Sequence, residues 1–197
     1  MNSTFKSAKL IAISLTILAT SLAVSAQQQP APATPEKAAA KPADWTQQLA
    51  ARHEAFDAEH MRIHVFRLRP GDDLLEGIRA YASAHQLHAA VVLTAVGSLT
   101  QASIRYANQP SASQSSGHFE IVSLVGTLED GGEHLHLSLA AENGTVIGGH
   151  LVPGCKIYTT GEIVLGELQG ARFTRELDKE GSGWEELKVY PAADEQK

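Results

Sequence analysis

EHLHLSLAAENGTVIGGHL, residues Glu133 to Leu151, reads as two strands and the turn between them. Leu135, Leu137 and Leu139 alternate with His134, His136 and Ser138, so one face is apolar and the other carries two imidazoles. Asn143-Gly144 is the turn signal, because both residues tolerate positive φ. Val146 to Leu151 is the return strand and brings a third histidine, His150. A two-residue loop at Asn143-Gly144 pairs Leu137 with His150 and sends that imidazole to the leucine face. A three-residue loop, Glu142-Asn143-Gly144 with Gly144 left-handed, pairs His136 with His150. A one-residue slip flips every side chain, so the two exclude each other. A bulge at Gly148-Gly149 is a further route to the second arrangement. The shared face is favoured. Opposed residues there have Cβ atoms about 5 Å apart, which suits three imidazoles around one metal at roughly 2.0–2.1 Å.

Outward from this hairpin the chain has several parts. Residues 1–26 have the pattern of a secretory signal peptide: Lys6 and Lys9, the uncharged apolar run Leu10 to Val24, then Val24-Ser25-Ala26. The run is short for a membrane span, which needs about 20 apolar residues, so an uncleaved anchor is the alternative. The expected location is periplasmic or secreted. Residues 27–44 are rich in Gln, Pro and Ala and are expected to be a disordered spacer. Residues 45–60 have a helical stripe of Trp45, Leu49 and Phe56, and residues 191–197 form a polar tail.

Between them, residues 61–190 carry the compact domain. Arg62 to Arg69 reads as a strand stopped by Pro70-Gly71. Asp72 or Asp73 caps a helix, with Glu76 placed for a capping box, and Leu74, Leu75, Ile78, Tyr81 and Ala82 form its apolar stripe. Ala89 to Val96 reads as a strand buried on both faces, broken at Gly97-Ser98. Leu99 to Ala107 is the next strand, Asn108 to Gly117 a polar loop, and His118 to Leu128 a strand. After the hairpin, Cys155 to Leu165 is a strand interrupted at Gly161. Ala171 to Leu177 and Trp184 to Val189 are short closing strands. The fold class is α/β (α+β): a single domain, largely antiparallel, with one main helix.

Composition narrows the chemistry. Lys and Arg number 16 against 22 Asp and Glu, a net charge of −6 that becomes −8 without Lys6 and Lys9. An acidic chain lacking a basic cluster repels phosphate backbones. Cys155 is the single cysteine, so no intrachain disulfide forms, and it reads as a small buried thiol; a metal-proximal or redox role is the alternative. No G-x-S-x-G, Walker, G-x-G-x-x-G or H-E-x-x-H motif is present.

The candidate metal ligands are His134, His136 and His150. A lone strand histidine usually faces solvent, but an H-x-H with a third histidine across a hairpin favours a metal. Three neutral imidazoles with an open fourth position suit Zn²⁺, with Fe²⁺, Ni²⁺ and Mn²⁺ as alternatives. Water in the open position can ionise near pH 7. Glu162, mid-strand among apolar residues, is the candidate catalytic carboxylate, with Thr160, Ser138 and Glu133 as further neighbours. Arg105 and Tyr106 are ambiguous. His64 reads as an ordinary strand histidine, and His85 and His88 flank the helix end.

VFRLRPGDDLLEGI, AVGSLTQASIRY, HFEIVSLVGTL, HLHLSLAAENGTVIGGHL and CKIYTTGEIVL, in this order over roughly Met61 to Tyr190, together resemble the PPC domain shared by plants and prokaryotes. The resemblance implies a compact α/β domain that assembles as a homotrimer. Stand-alone prokaryotic members tend to carry the histidine hairpin; plant members add an AT-hook for DNA and largely lack it. Arg67-Leu68-Arg69-Pro70 is no AT-hook. The fold is also similar to acetolactate decarboxylase, whose H-x-H plus later His carries over here only to His134, His136 and His150. The expected function is an exported, trimeric metal-site protein for a small ligand. The alternatives are a non-catalytic assembly module and a DNA-binding protein.

Overall fold

The computed structural model describes residues 56–192. The expectations for residues 1–55 and 193–197 lie outside them. Residues 56–60, the end of the segment read as a helix, carry no helix.

Among the described residues eight strands and one helix follow in this order: β1 (Met61–Leu68), α1 (Leu74–Ala84), β2 (Ala89–Arg105), β3 (Ser113–Glu129), β4 (Gly132–Ala141), β5 (Val146–Leu151), β6 (Lys156–Leu168), β7 (Ala171–Leu177) and β8 (Glu185–Pro191). Six form one antiparallel sheet in the order β1-β6-β2-β3-β4-β5, and β7 and β8 pair separately. The end of β2 also pairs with β5, through Ile104 with Leu151 and Arg105 with His150. The run β2-β3-β4-β5 therefore closes on itself.

The helix starts where its residues require. Asp73 is the N-cap, and its Oδ1 accepts from the backbone N–H groups of Leu75 (3.1 Å) and Glu76 (3.2 Å). Glu76 does not complete a capping box; it accepts from Arg79 instead, at 2.7 Å. Leu74, Leu75 and Ile78 are buried against the sheet. Each such side chain contributes about 1.5–3 kcal/mol relative to an exposed position. The core they join holds Leu99, Ile104, Leu128, Ile157, Ile163 and Leu165, together with the hairpin leucines.

Three expectations need correction. Gly97-Ser98 does not break the strand at Val96, because β2 runs unbroken from Ala89 to Arg105. Gly97, at φ +147°, lies opposite Gly161, and a Cβ there would meet the carbonyl oxygen of Thr160. Gly97 lets the two backbones approach closely, whereas a Cβ on Gly161 would meet the side chain of Ile157; β6 also passes through Gly161 without interruption. Second, β3 starts at Ser113, within the segment read as a loop. Ser113, Gln114, Ser115 and Ser116 pair with Ile104, Ser103, Ala102 and Gln101, so backbone pairing overrides their polar side chains. Third, Ala89 to Val96 is not buried on both faces: Leu93 is 46% exposed and Val96 55%.

Candidate metal centre

β4 and β5 meet in the register His136 with His150, Leu137 with Gly149, Ser138 with Gly148, Leu139 with Ile147 and Ala140 with Val146. The turn is the three-residue loop Glu142-Asn143-Gly144. Gly144 has φ +79°, its N–H donates to Ala141 O at 2.8 Å, and Ala141 N–H donates to Thr145 O at 2.9 Å. No bulge interrupts the pairing. Leu135, Leu137 and Leu139 enter the core, at 2% exposure or less, which forces His134 and His136 to the other face. Gly149 has no Cβ for a simple reason: one would lie 2.7 Å from Arg105 O and 2.8 Å from Ile104 Cγ2. The close approach of β5 to β2 depends on it.

The three imidazoles converge. Ring centroids lie 4.5 Å apart for His136 and His150, 5.0 Å for His134 and His136, and 5.1 Å for His134 and His150. One nitrogen from each lies within 4.8 Å of the others, and the Nε2 atoms of His134 and His136 are 3.2 Å apart. Tetrahedral ligands at about 2.05 Å from zinc are about 3.3 Å from each other, so a small adjustment of the rings makes three ligands.

Burial, and after it neighbouring cations, favour the metal-binding form of two rings. His134 is held below the usual imidazole pKa by partial burial, then by the Arg175 cation and His136. His150 is lowered in the same way, by burial, then Arg105, His136 and His134. Neutral imidazole is the form that ligates. Arg175 is itself anchored: its Nε donates to Glu129 at 2.7 Å and its Nη2 to Thr127 Oγ1 at 3.1 Å. Arg105, His134, His150, Arg175 and Trp184 line one open cleft of about 1080 Å³.

A sequence profile of the Plants and Prokaryotes Conserved (PCC) domain matches residues 56–169. The chain belongs to this family. Among solved structures, the PCC domain here is similar to a Salmonella cholerae-suis protein: 39% identity, TM-score 0.68, covering 71% of this chain and 100% of that one. It is similar also to a metal-containing protein of Archaeoglobus fulgidus (28% identity, TM-score 0.57, 68% of this chain and 97% of that one). A plant- and prokaryote-conserved protein of Pyrococcus horikoshii follows, at 30% identity and TM-score 0.52 over 68% and 99% of the two chains. Over 145 residues, 74% of this chain, it is 41% identical to the bifunctional protein GlmU of Synechococcus sp. strain JA-3-3Ab, but it spans only 23% of that relative's length.

Other candidates fall elsewhere in the PCC domain. Glu162 is not brought to the histidines within one chain: it is exposed on β6 opposite Arg67 and Val96, and β2 and β3 stand between β6 and β4. Thr160 Oγ1 accepts from Arg67 Nε at 2.8 Å. Glu133 holds Arg79 by two hydrogen bonds of 2.7 and 2.9 Å, tying α1 to the start of β4. Ser138 shares the histidine face, opposite Gly148. Arg105 faces the cleft, whereas Tyr106 packs on the core. His64 is buried, with Nε2 3.2 Å from Glu167 and Nδ1 3.3 Å from Tyr81 Oη. His85 is the helix C-cap, and His88 pairs with Asp130. Cys155 is fully buried, and desolvation pushes its thiol up to about 11; it is a core thiol.

Arg175 is the site residue that motif reasoning missed, and it lies beyond the matched segment 56–169. Its signal is parity: Ala171, Phe173 and Arg175 occupy one face of β7, so an arginine follows two buried residues and needs a buried acid.

Proposed function

We propose that this PCC-domain protein holds a divalent transition metal, zinc foremost, on His134, His136 and His150, and presents it to a small ligand in the adjoining cleft. The convergence of three imidazoles on one point carries the reading. The lowered pKa of two of them and the metal-containing Archaeoglobus relative support it. Bound zinc would supply Lewis acidity at an open coordination position. The chain's own residues favour the neutral form of His134 and His150, orient the three rings through the β4–β5 register, and shape the cleft.

Export and self-association belong to the same proposal. The pattern of residues 1–26 supports a periplasmic or secreted location. Ile63, Val65, Leu93, Val96, Val122 and Val125 are 46–69% exposed in one chain, and Val125 lies directly opposite His136. An apolar face of this kind is covered by partner copies in stable assemblies. A homotrimer places that cover at the margin of the metal site.

Metal analysis of the untagged full chain tests the reading. One equivalent of metal per chain, lost in His136→Ala while the circular dichroism spectrum is retained, is the expected result. Substoichiometric metal in the wild type, or equal metal in the variant, overturns it.

A further inference from the structure

Arg105 ends β2 and is the direct partner of His150 in the β2–β5 pairing. Directly opposed residues on neighbouring strands project from the same face, with Cβ atoms about 5 Å apart. Arg105 lines the cleft that His134 and His150 also line. It is half-buried, and among the described residues no carboxylate pairs with it.

The acids around the cleft are mostly engaged. Glu129 holds Arg175, Glu133 holds Arg79, Asp130 faces His88 and Arg172, and Glu186 accepts from Ser182 Oγ. Arg175 is spent on Glu129. Arg105 is therefore the cation left to a ligand, one strand from three imidazoles. A guanidinium is a planar fork that matches a carboxylate through two parallel hydrogen bonds.

We propose that the ligand of this site is a small carboxylate, recognised by Arg105 while it completes the coordination of the metal on the three histidines. The inference rests on the metal reading above. A singly charged acid fits one free cation beneath an acidic mouth; a phosphate dianion meets more repulsion from the same acids. Trp184, 75% exposed on the cleft wall, offers a flat apolar surface for the rest of the molecule.

The test loads the untagged full chain with cobalt(II) and follows its visible spectrum against acetate, acetamide and inorganic phosphate. Arg105→Gln and Arg105→Lys are compared with the wild type. Cobalt stoichiometry is read first. Expected are one cobalt per chain in all three proteins, a spectral shift with acetate and none with acetamide at equal concentration, and acetate binding at least tenfold weaker in Arg105→Gln. Arg105→Lys, which keeps the charge but not the fork, falls between. Unchanged acetate affinity in a cobalt-loaded Arg105→Gln overturns the role of Arg105 alone, and an equal response to acetamide overturns recognition of a carboxylate. Phosphate binding tighter than acetate overturns the carboxylate class. Failure of the wild type to take up cobalt overturns the metal reading and this inference with it.

Discussion

At the scale of single residues, the histidine positions are set by the turn. Glu142-Asn143-Gly144 was legible because Gly144 supplies the left-handed conformation that a three-residue loop requires, and that loop fixes His136 opposite His150. Arg105 is ambiguous in the sequence and Arg175 carries no motif, because their roles depend on pairings of strands distant in sequence. Titration gives a first prediction. The folded-state pKa values of His134 and His150 are lowered from 6.5. As pH falls through about 6.5, the unfolded chain takes up protons before the folded one. The metal-free fold therefore keeps its full stability above that pH and loses some as pH drops toward the lowered native values. Urea unfolding at pH 8 and pH 5.5 checks this: the drop is expected to be smaller in a His134→Gln/His150→Gln variant, and an equal drop contradicts it. Cys155 gives a second. With its thiol buried and raised to about 11, it is expected to react with a disulfide reagent at pH 8 only after denaturant is added; rapid modification of the native chain contradicts its place in the core.

At the scale of elements, glycine was the residue most easily misread. A glycine after an apolar run signals a stop when seen alone, yet Gly97 and Gly161 sit opposite each other inside two long strands. Only the pairing reveals that Gly97 serves close approach of the backbones and that Gly161 makes room for the Ile157 side chain. Gly126 is a third case: it has φ +139°, and a Cβ there would meet the carbonyl oxygen of His134. Gly126→Ala is expected to cost roughly 3 kcal/mol and to weaken metal binding by displacing β4. Denaturant midpoints and metal titration of the one variant check both effects. The β7–β8 hairpin is tethered by Arg175 to Glu129, whose side chain is 2% exposed. Arg175→Met leaves that carboxylate buried without its partner, at a cost of roughly 3–5 kcal/mol. Adding Glu129→Gln is expected to restore part of the loss in a double-mutant cycle, and strict additivity contradicts the coupling.

At the scale of the whole molecule, the single antiparallel domain with one helix was readable from alternation, capping and turn residues. Closure through β2 and β5 was not. It depends on β2 being long enough to pair first with β6 and then with β5, along one edge. That closure places Arg105 beside His150 and gives the site a wall. Self-association is expected to appear as a trimer by light scattering. Chelation is expected to lower the melting temperature, because a metal present at a thousand times its dissociation constant stabilises the fold by about 4 kcal/mol. The most direct measurement is anomalous X-ray scattering from crystals of the untagged protein, recorded above and below the zinc absorption edge. An anomalous peak within about 2.1 Å of nitrogen atoms from His134, His136 and His150 is the expected result. Rings that point apart with no peak between them, or a metal held elsewhere on the chain, would contradict the three-histidine centre.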